Sequence, residues 1–386
     1  TAAQWGVQDS FNVEANLRAG ARYIKLLQQT HGGDLRLALG AYNCFDAATE
    51  VLTNNGWILF SDMPTDVTVA SLNRETGHLE YDLPLATQTF DYNGAMVRLK
   101  ARGIDALITP NHRLLYTTSR GKSEKLTEAA LIPVKTFAVR DAADGCNTEV
   151  SLADDQIRLG AWLMTDSTIC YSPRSWRVVF YQRSSKAHLI KDLLDRLGLT
   201  YSVRIVDLHL QQVAGRQLLK PHEPIEHIRL DAKSRDIARG LVFDKTKQPE
   251  WLGRLSRRQF EVFIQTYIDA DGTRHPQCKH HYQISGRPLL MDQLQVAALT
   301  NGWRTSLKCF GGYSKLNILR GRSYTRVEWG ISATTVSYAG RVYCVTTKND
   351  TVVTRRNGCV LISGNSGPGT IAKYKGLPPY PETQQY

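Results

Sequence analysis

The sequence has no run of 18 apolar residues, so no segment reads as a membrane-spanning helix. It has no secretory leader, and it opens at Thr1 in mid-pattern rather than with Met, so a piece of a longer protein is expected. No two cysteines form a CxxC pair. The seven present, Cys44, Cys146, Cys170, Cys278, Cys309, Cys344 and Cys359, are odd in number. This argues against a zinc site or a disulfide framework, and for buried or reactive thiols in a reducing compartment. With 386 residues, 42% hydrophobic and 22% charged, the chain can build two or three ordinary globular domains. Its charge is unevenly spread. Of the net +12, residues 149–325 contribute an excess of ten, from 27 Lys and Arg against 17 Asp and Glu. Such a basic segment suits a polyanion partner, or is simply a solvated basic surface.

The stretch 342–366, VYCVTTKNDTVVTRRNGCVLISGNS, organises the rest. It reads as strands over 342–347, 351–354 and 360–363, with a turn at Asn357-Gly358, and it runs into Gly364-Asn365-Ser366. An Asn carboxamide can attack its own carbonyl carbon, form a succinimide and cut the chain. A following Ser can carry an acyl group as an ester. Alone, an Asn-Ser pair is a common inert turn.

The two ends of the chain supply a second clue. An amphipathic helix over 12–29 is followed by LRLALGAYN, ending at Asn43, and residues 366–386 begin SGPG and end GLPPYPETQQY. Read across the gap, Asn16 to Tyr23, Ala41-Tyr42-Asn43, Gly367-Pro368-Gly369 and the PYPET tail resemble the C-terminal part of a lytic transglycosylase (lysozyme-like) domain. That family's catalytic Glu and GLMQ element have no counterpart in this chain. The piece interrupting the element runs from Cys44 to Asn365. It begins with a thiol nucleophile, ends with a cyclisable Asn and is followed by a hydroxyl nucleophile.

Residues 44–148 read as many short strands with polar turns, including 50–53, 57–60, 67–71, 79–81, 95–100 and 106–108, hence a compact all-β unit. Within it stands Ile108-Thr109-Pro110-Asn111-His112. In this order, CFDAATEVLTNNGW, LITPNHRLLY and the 342–366 stretch resemble the splicing blocks of an intein. The resemblance implies an all-β, horseshoe-like hedgehog/intein fold and cofactor-free, autocatalytic chemistry. Cys44 would attack the Asn43 carbonyl and form a thioester. Thr109 would hold the strained amide and His112 would protonate the leaving nitrogen. Ser366 would then take the acyl group, Asn365 would cyclise, and Asn43 would end joined to Ser366. Cys344, where the family places Asp or Cys, would act in branching or proton control, or is a buried small residue. Gly364 departs from the His that many members carry there. Cyclisation is therefore expected to be the slow step, with help from His112, backbone donors or water.

The basic middle carries two apolar stretches ending in Asp, LGAWLMTDS at 159–167 and IQTYIDADG at 264–272. Segments following each match at an offset of 100, with Ser185 and Ser285, Leu189 and Leu289, and Asp192 and Asp292 in register, and Gly198 and Gly302 closing the helices. The middle is thus an internal duplication. The pair resembles the two motifs of a LAGLIDADG homing endonuclease, an α+β domain. In the first motif Met164 replaces Asp and Ser167 replaces Gly, and the second departure is expected to matter more because tight helix ends favour Gly. The resemblance implies that Asp166 and Asp271 bind Mg²⁺ beside two scissile phosphates of double-stranded DNA, with Lys245 and Lys247 as the family's lysine-bearing block.

The expected order is therefore a flanking helical segment at 1–43, the splicing domain at 44–148 and 326–365, an endonuclease at 149–325, active or degenerate, and a second flank at 366–386. The excised insert is expected as a cytoplasmic monomer with no membrane partner, and the ligated flanks as cell-wall or phage-associated. The competing readings are a lytic transglycosylase with a non-splicing structural insertion, and a DNA-binding or nuclease protein whose flanking β unit is inert.

Overall fold

The computed structural model describes residues 43–118, 123–145, 147–172, 175–207, 212–213, 216–217, 223–245 and 247–365. The helix expected over 12–29, the flanking segment at 366–386, and Ser366 itself lie outside the described residues. The chain divides into two compact units, Thr1–Ala143 with Ser323–Tyr386, and Asp144–Arg322. Both changes come slightly earlier than the sequence suggests. The reason is pairing: Asp144 bridges to Asn301 within the second unit, while Tyr324–Glu328 lies antiparallel to Thr136–Arg140 and so belongs to the β unit.

Among its described residues the first unit holds strands and two short 3₁₀ turns, and no α-helix. Its spine is a pair of long antiparallel strands, Ala86–Ala101 and Ala333–Thr346, in register from Ala86 opposite Thr346 to Leu99 opposite Ala333. Strands Phe45–Asp46 and Ile104–Ile108 close them into a small barrel. The sequence predicts only 95–100 for the first of these long strands. Its first residues, 86–89, are mostly polar and exposed, so cross-strand hydrogen bonding rather than apolar period makes them strand, and only from Phe90 and Tyr92 onward does a face turn inward.

A second sheet orders Tyr324–Glu328, Thr136–Arg140, Arg113–Thr117 and Lys125–Glu128. A third carries Cys359–Gly364, Thr351–Arg356, Thr49–Thr53, Val69–Leu72 and Leu79–Asp82. The predicted turn at Asn357-Gly358 has both residues at positive φ, 47° and 74°, as a two-residue hairpin with right-handed twist requires. Phe45, Ile108, Leu114, Phe137, Val345 and Leu361 pack in one core. Arg356 is held between Asp46 and Asp105 at 3.0 and 2.7 Å, tying strand Phe45–Asp46 to the last hairpin of the unit. At the edge of this unit the Asp141 N–H donates to the Ser323 carbonyl at 2.9 Å, so the two points where the chain leaves and re-enters are neighbours.

The second unit repeats one order twice. Helix Asp154–Met164, strands Ser167–Ser172 and Ser175–Arg183, helix Ser184–Arg196, and strands Tyr201–Val206 and Ile225–Leu230 form the first half. Helix Arg257–Asp271, strands Gly272–His275 and Cys278–Gly286, helix Pro288–Thr300, and strands Arg304–Phe310 and Tyr313–Leu319 form the second. The four strands of each half lie in the same first-second-fourth-third order. The duplication read in the sequence is thus a repeat of topology. Helices Asp154–Met164 and Arg257–Asp271 pack on each other. Gly160 allows Trp251 against the first of them, since a Cβ there would lie 2.6 Å from the indole. Gly198 and Gly302 end their helices at φ +64° and +75°.

The expectation for Ser167 and Gly272 is corrected. Gly272 has φ −104°, outside the left-handed region; it is glycine because a Cβ would come within 2.6 Å of Ile268 Cα. The first helix ends at Met164, before the equivalent point, and the Ser167 hydroxyl donates to the Leu163 carbonyl at 2.6 Å, so serine fits there. No helix among the described residues is long and apolar enough to cross a membrane.

Candidate active sites

In the first unit, Thr109-Pro110-Asn111-His112 forms a turn closed by the His112 N–H on the Thr109 carbonyl at 3.0 Å, with proline at the second position. The turn follows strand Ile104–Ile108, which pairs with Phe45, and so lies against the Asn43–Cys44 peptide. The Cys44 N–H donates to Thr109 Oγ1 at 3.1 Å, and the Thr109 N–H donates back to the Cys44 carbonyl at 3.1 Å. Asn43 sits at φ +60°, a left-handed conformation that Asn tolerates better than most residues. Its Oδ1 accepts from the Arg113 N–H at 2.7 Å. The amide that Cys44 would cleave is therefore buried, clamped on its nitrogen side and entered through an uncommon backbone conformation.

The Cys44 thiol is buried in a pocket with Tyr92, Met96, Leu107, Val342 and Cys344. Burial raises its pKa well above the ordinary thiol value, and a hydrogen bond with Cys344 raises it further. His112 is fully buried, with its ring edge-on to Phe45 at 4.5 Å and its Nε2 at 2.9 Å from Ser363 Oγ. Burial lowers its pKa to about 3; a backbone group of Asn43 opposes the shift and the Arg113 charge adds to it. Nδ1 makes no hydrogen bond among the described residues.

Asn365 is also fully buried. Its N–H donates to the Asp350 carbonyl at 3.0 Å, and its Nδ2 donates to Thr347 Oγ1 at 3.1 Å and to the Thr351 carbonyl at 3.3 Å. Its backbone carbonyl accepts from the guanidinium of Arg113. The structure thus gathers Asn43, Cys44, Thr109, His112, Cys344 and Asn365 in one unit. Sequence reasoning missed Arg113, Ser363, Thr347 and Tyr92, which have no motif of their own.

In the second unit, Asp166 and Asp271 stand at the adjoining ends of the two packed helices. Asp166 is half-buried and Asp271 is exposed. Burial and the charge of Asp271 push the Asp166 pKa up to about 6. Partial desolvation beside the helix ends nevertheless raises the Asp271 pKa, and the Lys245 charge opposes that rise. Lys245 donates to the Thr165 carbonyl at 2.9 Å and to the Ser167 carbonyl, and burial lowers its own pKa against the pull of both carboxylates. Gln182 donates to Asp166 Oδ2 at 2.8 Å. Lys247 is exposed and lines a separate open hollow with Phe243, Gln248 and Trp251. Gln182 carries no sequence signal; it sits on a strand rather than in either motif.

Among the described residues no third His, Cys, Asp or Glu joins the two aspartates. Two carboxylates near enough to repel fit a hard divalent cation that completes its shell with water and phosphate.

No family model matches this chain. Over 92 residues it is 36% identical to an ATP-dependent Clp protease proteolytic subunit of Chlamydomonas moewusii, covering 23% of this chain and 9% of that protein. Over 131 residues it is 29% identical to a ribonucleoside-diphosphate reductase subunit beta of Aquifex aeolicus (strain VF5), covering 33% of this chain and 19% of that one. The chain therefore spans less than a fifth of either relative. Among solved structures it is similar to I-DmoI in complex with DNA and Ca, with a TM-score of 0.31 and 18% identity over 43% of this chain and 83% of that one. It is similar to a splice-inactive AceL NrdHF class 3 split intein, with a TM-score of 0.30 and 8% identity over 84% of this chain and 99% of that one. A third is the homing endonuclease I-WcaI bound to its DNA recognition sequence, with a TM-score of 0.30 and 12% identity over 44% and 77%.

Proposed function

We propose that the chain is a self-splicing precursor that excises residues 44–365 and joins Asn43 to Ser366, with a metal-dependent, site-specific DNA endonuclease in its second unit. The observation that carries the splicing reading is that one residue, Arg113, touches Asn43 through its N–H and Asn365 through its side chain, bringing the two ends of the insert to one place. Acyl transfer between distant residues needs that proximity.

In the first step Cys44 Sγ bonds to the Asn43 carbonyl carbon and the C–N bond breaks. His112, neutral at physiological pH because it is buried, carries the proton to the leaving Cys44 nitrogen. Thr109 fixes that nitrogen. Ser366 then displaces the thiol as an ester. Asn365 Nδ2 attacks its own carbonyl and releases the insert, and the ester moves to the freed amine of Ser366. The chain of events needs no cofactor. In the ligated product the flanks 1–43 and 366–386 would restore the lytic transglycosylase-like element.

In the second unit Asp166 and Asp271 would hold Mg²⁺, which when bound supplies the attacking hydroxide and neutralises phosphate charge. Lys245 provides a positive charge within electrostatic reach of both carboxylates. The local excess of ten positive charges favours DNA phosphates.

Mass spectrometry of freshly expressed protein tests the splicing reading. A released insert and a ligated product of the two flanks are expected, and Cys44→Ala with Asn365→Ala should leave only the 43.3 kDa precursor. Ligated product from that double variant would overturn the assignment of both junctions.

A further inference from the structure

A single turn grips Asn365 by both its main chain and its side chain. The turn 347–351 leaves the long strand Ala333–Thr346 and enters strand Thr351–Arg356, with Asp350 at φ +57°. The Asp350 carbonyl accepts the Asn365 N–H at 3.0 Å. Asn365 Nδ2 donates to Thr347 Oγ1 at 3.1 Å and to the Thr351 carbonyl at 3.3 Å. The turn is itself anchored, because Thr351 Oγ1 accepts from the Leu72 N–H at 2.7 Å and donates to the Leu72 carbonyl at 2.8 Å. Thr347, Thr351 and Asn365 are all buried.

The hydrogens in this cluster can be counted. A carbonyl only accepts. The Thr347 hydroxyl commits its one hydrogen to the Thr351 carbonyl at 2.7 Å, so it offers Asn365 only lone pairs. Two acceptors side by side decide which end of the carboxamide stands there, and it is the nitrogen. Turned over, Oδ1 would lie against the Thr351 carbonyl oxygen with no hydrogen between them. Oδ1 instead is buried with no hydrogen-bond partner among the described residues. A carboxamide kept only for structure has both ends satisfied as a rule. This one is held by its nitrogen alone.

We infer that Thr347 is a positioning residue for cyclisation: its hydroxyl, anchored on the Thr351 carbonyl, presents the Asn365 carboxamide nitrogen-first for attack on its own backbone carbonyl. This rests on the splicing reading and deepens it. The preference matters because the oxygen of an amide is ordinarily its more nucleophilic atom, and attack through Oδ1 would close a ring that is not an imide. Hydrogen bonds from the two N–H groups lie in the amide plane. They draw electron density onto Nδ2 and leave its face free for the new bond, in a fixed orientation. In the step, Nδ2 bonds to the Asn365 carbonyl carbon, and the bond from that carbon to the Ser366 nitrogen breaks. Nδ2 loses one proton and the departing nitrogen gains one. The insert ends in a five-membered aminosuccinimide, and nothing is oxidised or reduced.

The test uses the full chain with Cys44→Ala, in which cyclisation alone can cut. Release of the segment 366–386 and formation of the aminosuccinimide are followed by mass spectrometry. Thr347→Val should slow that release about 10-fold, the size of one buried hydrogen bond. Thr347→Ser, which keeps the hydroxyl, should return it to within a few-fold of the parent. A packing role predicts the reverse order, since valine keeps the shape of threonine and serine loses its methyl group. The same order, serine faster than valine, is expected for the loss of branched ester in the chain that retains Cys44. In a further background, Asn365→Ala, thiol-induced cleavage at Cys44 should stay within a few-fold for both variants, which also shows that the unit folds.

Release from Thr347→Val at the parent rate, or faster than from Thr347→Ser, would overturn the inference and leave splicing intact. An equal fall in both cleavages would overturn it in favour of a structural role. No release from the Cys44→Ala parent, with no splicing by the unsubstituted chain, would remove the splicing reading and this inference with it.

Discussion

The thiols of Cys44 and Cys344 are hydrogen-bonded to each other in a buried apolar pocket of the barrel. This makes Cys344 a partner of the nucleophile, whatever it does later in the reaction. Because that contact raises the Cys44 pKa, Cys344→Ala should move the pH profile of thiol-induced cleavage at Asn43–Cys44 toward lower pH. If Cys344 only fills space, ligation survives the substitution. If it serves branching or proton control, the thioester still forms and the ligated product is lost. Gel analysis with a hydroxylamine quench separates the two.

His112 makes the first unit acid-sensitive. Its folded-state pKa of about 3 lies below the ordinary value of 6.5, so the unfolded chain takes the proton first as pH falls. The penalty is absent above pH 7 and grows between 6.5 and 3, at about 1.4 kcal/mol per pH unit. In a non-splicing Cys44→Ala, Asn365→Ala background, His112→Phe should flatten that part of the stability curve. Urea melts at pH 7.5 and 5 measure it. An unchanged difference between the two pH values would show that the imidazole is not held neutral.

Gly364 should tolerate no side chain. Gly364→Ala sets a methyl against the Arg113 carbonyl and Cβ, and neither is the free end of a flexible chain. A loss of about 1–3 kcal/mol is expected. Installing an imidazole, Gly364→His, should slow cyclisation rather than speed it, because it displaces Arg113. Thermal melts and the rate of release of 366–386 check both.

The endonuclease prediction separates function from stability. Asp166→Asn should abolish Mg²⁺-dependent cutting of DNA that carries the uninterrupted host site, while splicing continues. At pH 7 it should leave the second unit as stable or more stable. The Asp166 pKa is raised to about 6, so its ionised form is a liability in the folded state above that pH. After allowance for solvent screening the gain is on the order of 1 kcal/mol. Mg²⁺ should raise the melting temperature of the parent, with the effect lost in Asp166→Asn or Asp271→Asn. DNA binding should weaken steeply with salt. Folded protein that neither binds nor cuts would sink this reading.

The residues that carry chemistry of their own are legible in the amino-acid sequence. Cys44, Thr109, His112 and Asn365 stand out because the proposed acyl transfers ask for thiol, hydroxyl, imidazole and carboxamide in that order. Asp166 and Asp271 stand out because each ends an apolar stretch. Arg113 is not legible: an arginine beside a histidine is ordinary, and its role exists only once two asparagines far apart in sequence arrive at its two ends. The consequence of Gly364 is legible only as a missing imidazole; what occupies the space is a matter of packing. Residues 86–89 at the start of Ala86–Ala101 have no apolar period to read, because their partner across the sheet, rather than a buried face, dictates their shape. Ser167 looks like a defect on the assumption that a glycine there serves backbone freedom. Gly272 shows that the requirement is clearance from Ile268.

The hydrogen bond from Asp141 to Ser323 has a genetic consequence. The two severed ends left by deleting residues 144–322 would already be side by side, on strands paired from Arg140 opposite Tyr324. A turn of a few residues could bridge them at little entropic cost, because the pairing exists whether the loop is long or short. A gene for the second unit could therefore enter or leave this point of the chain in one recombination event, and the first unit would inherit an intact sheet either way.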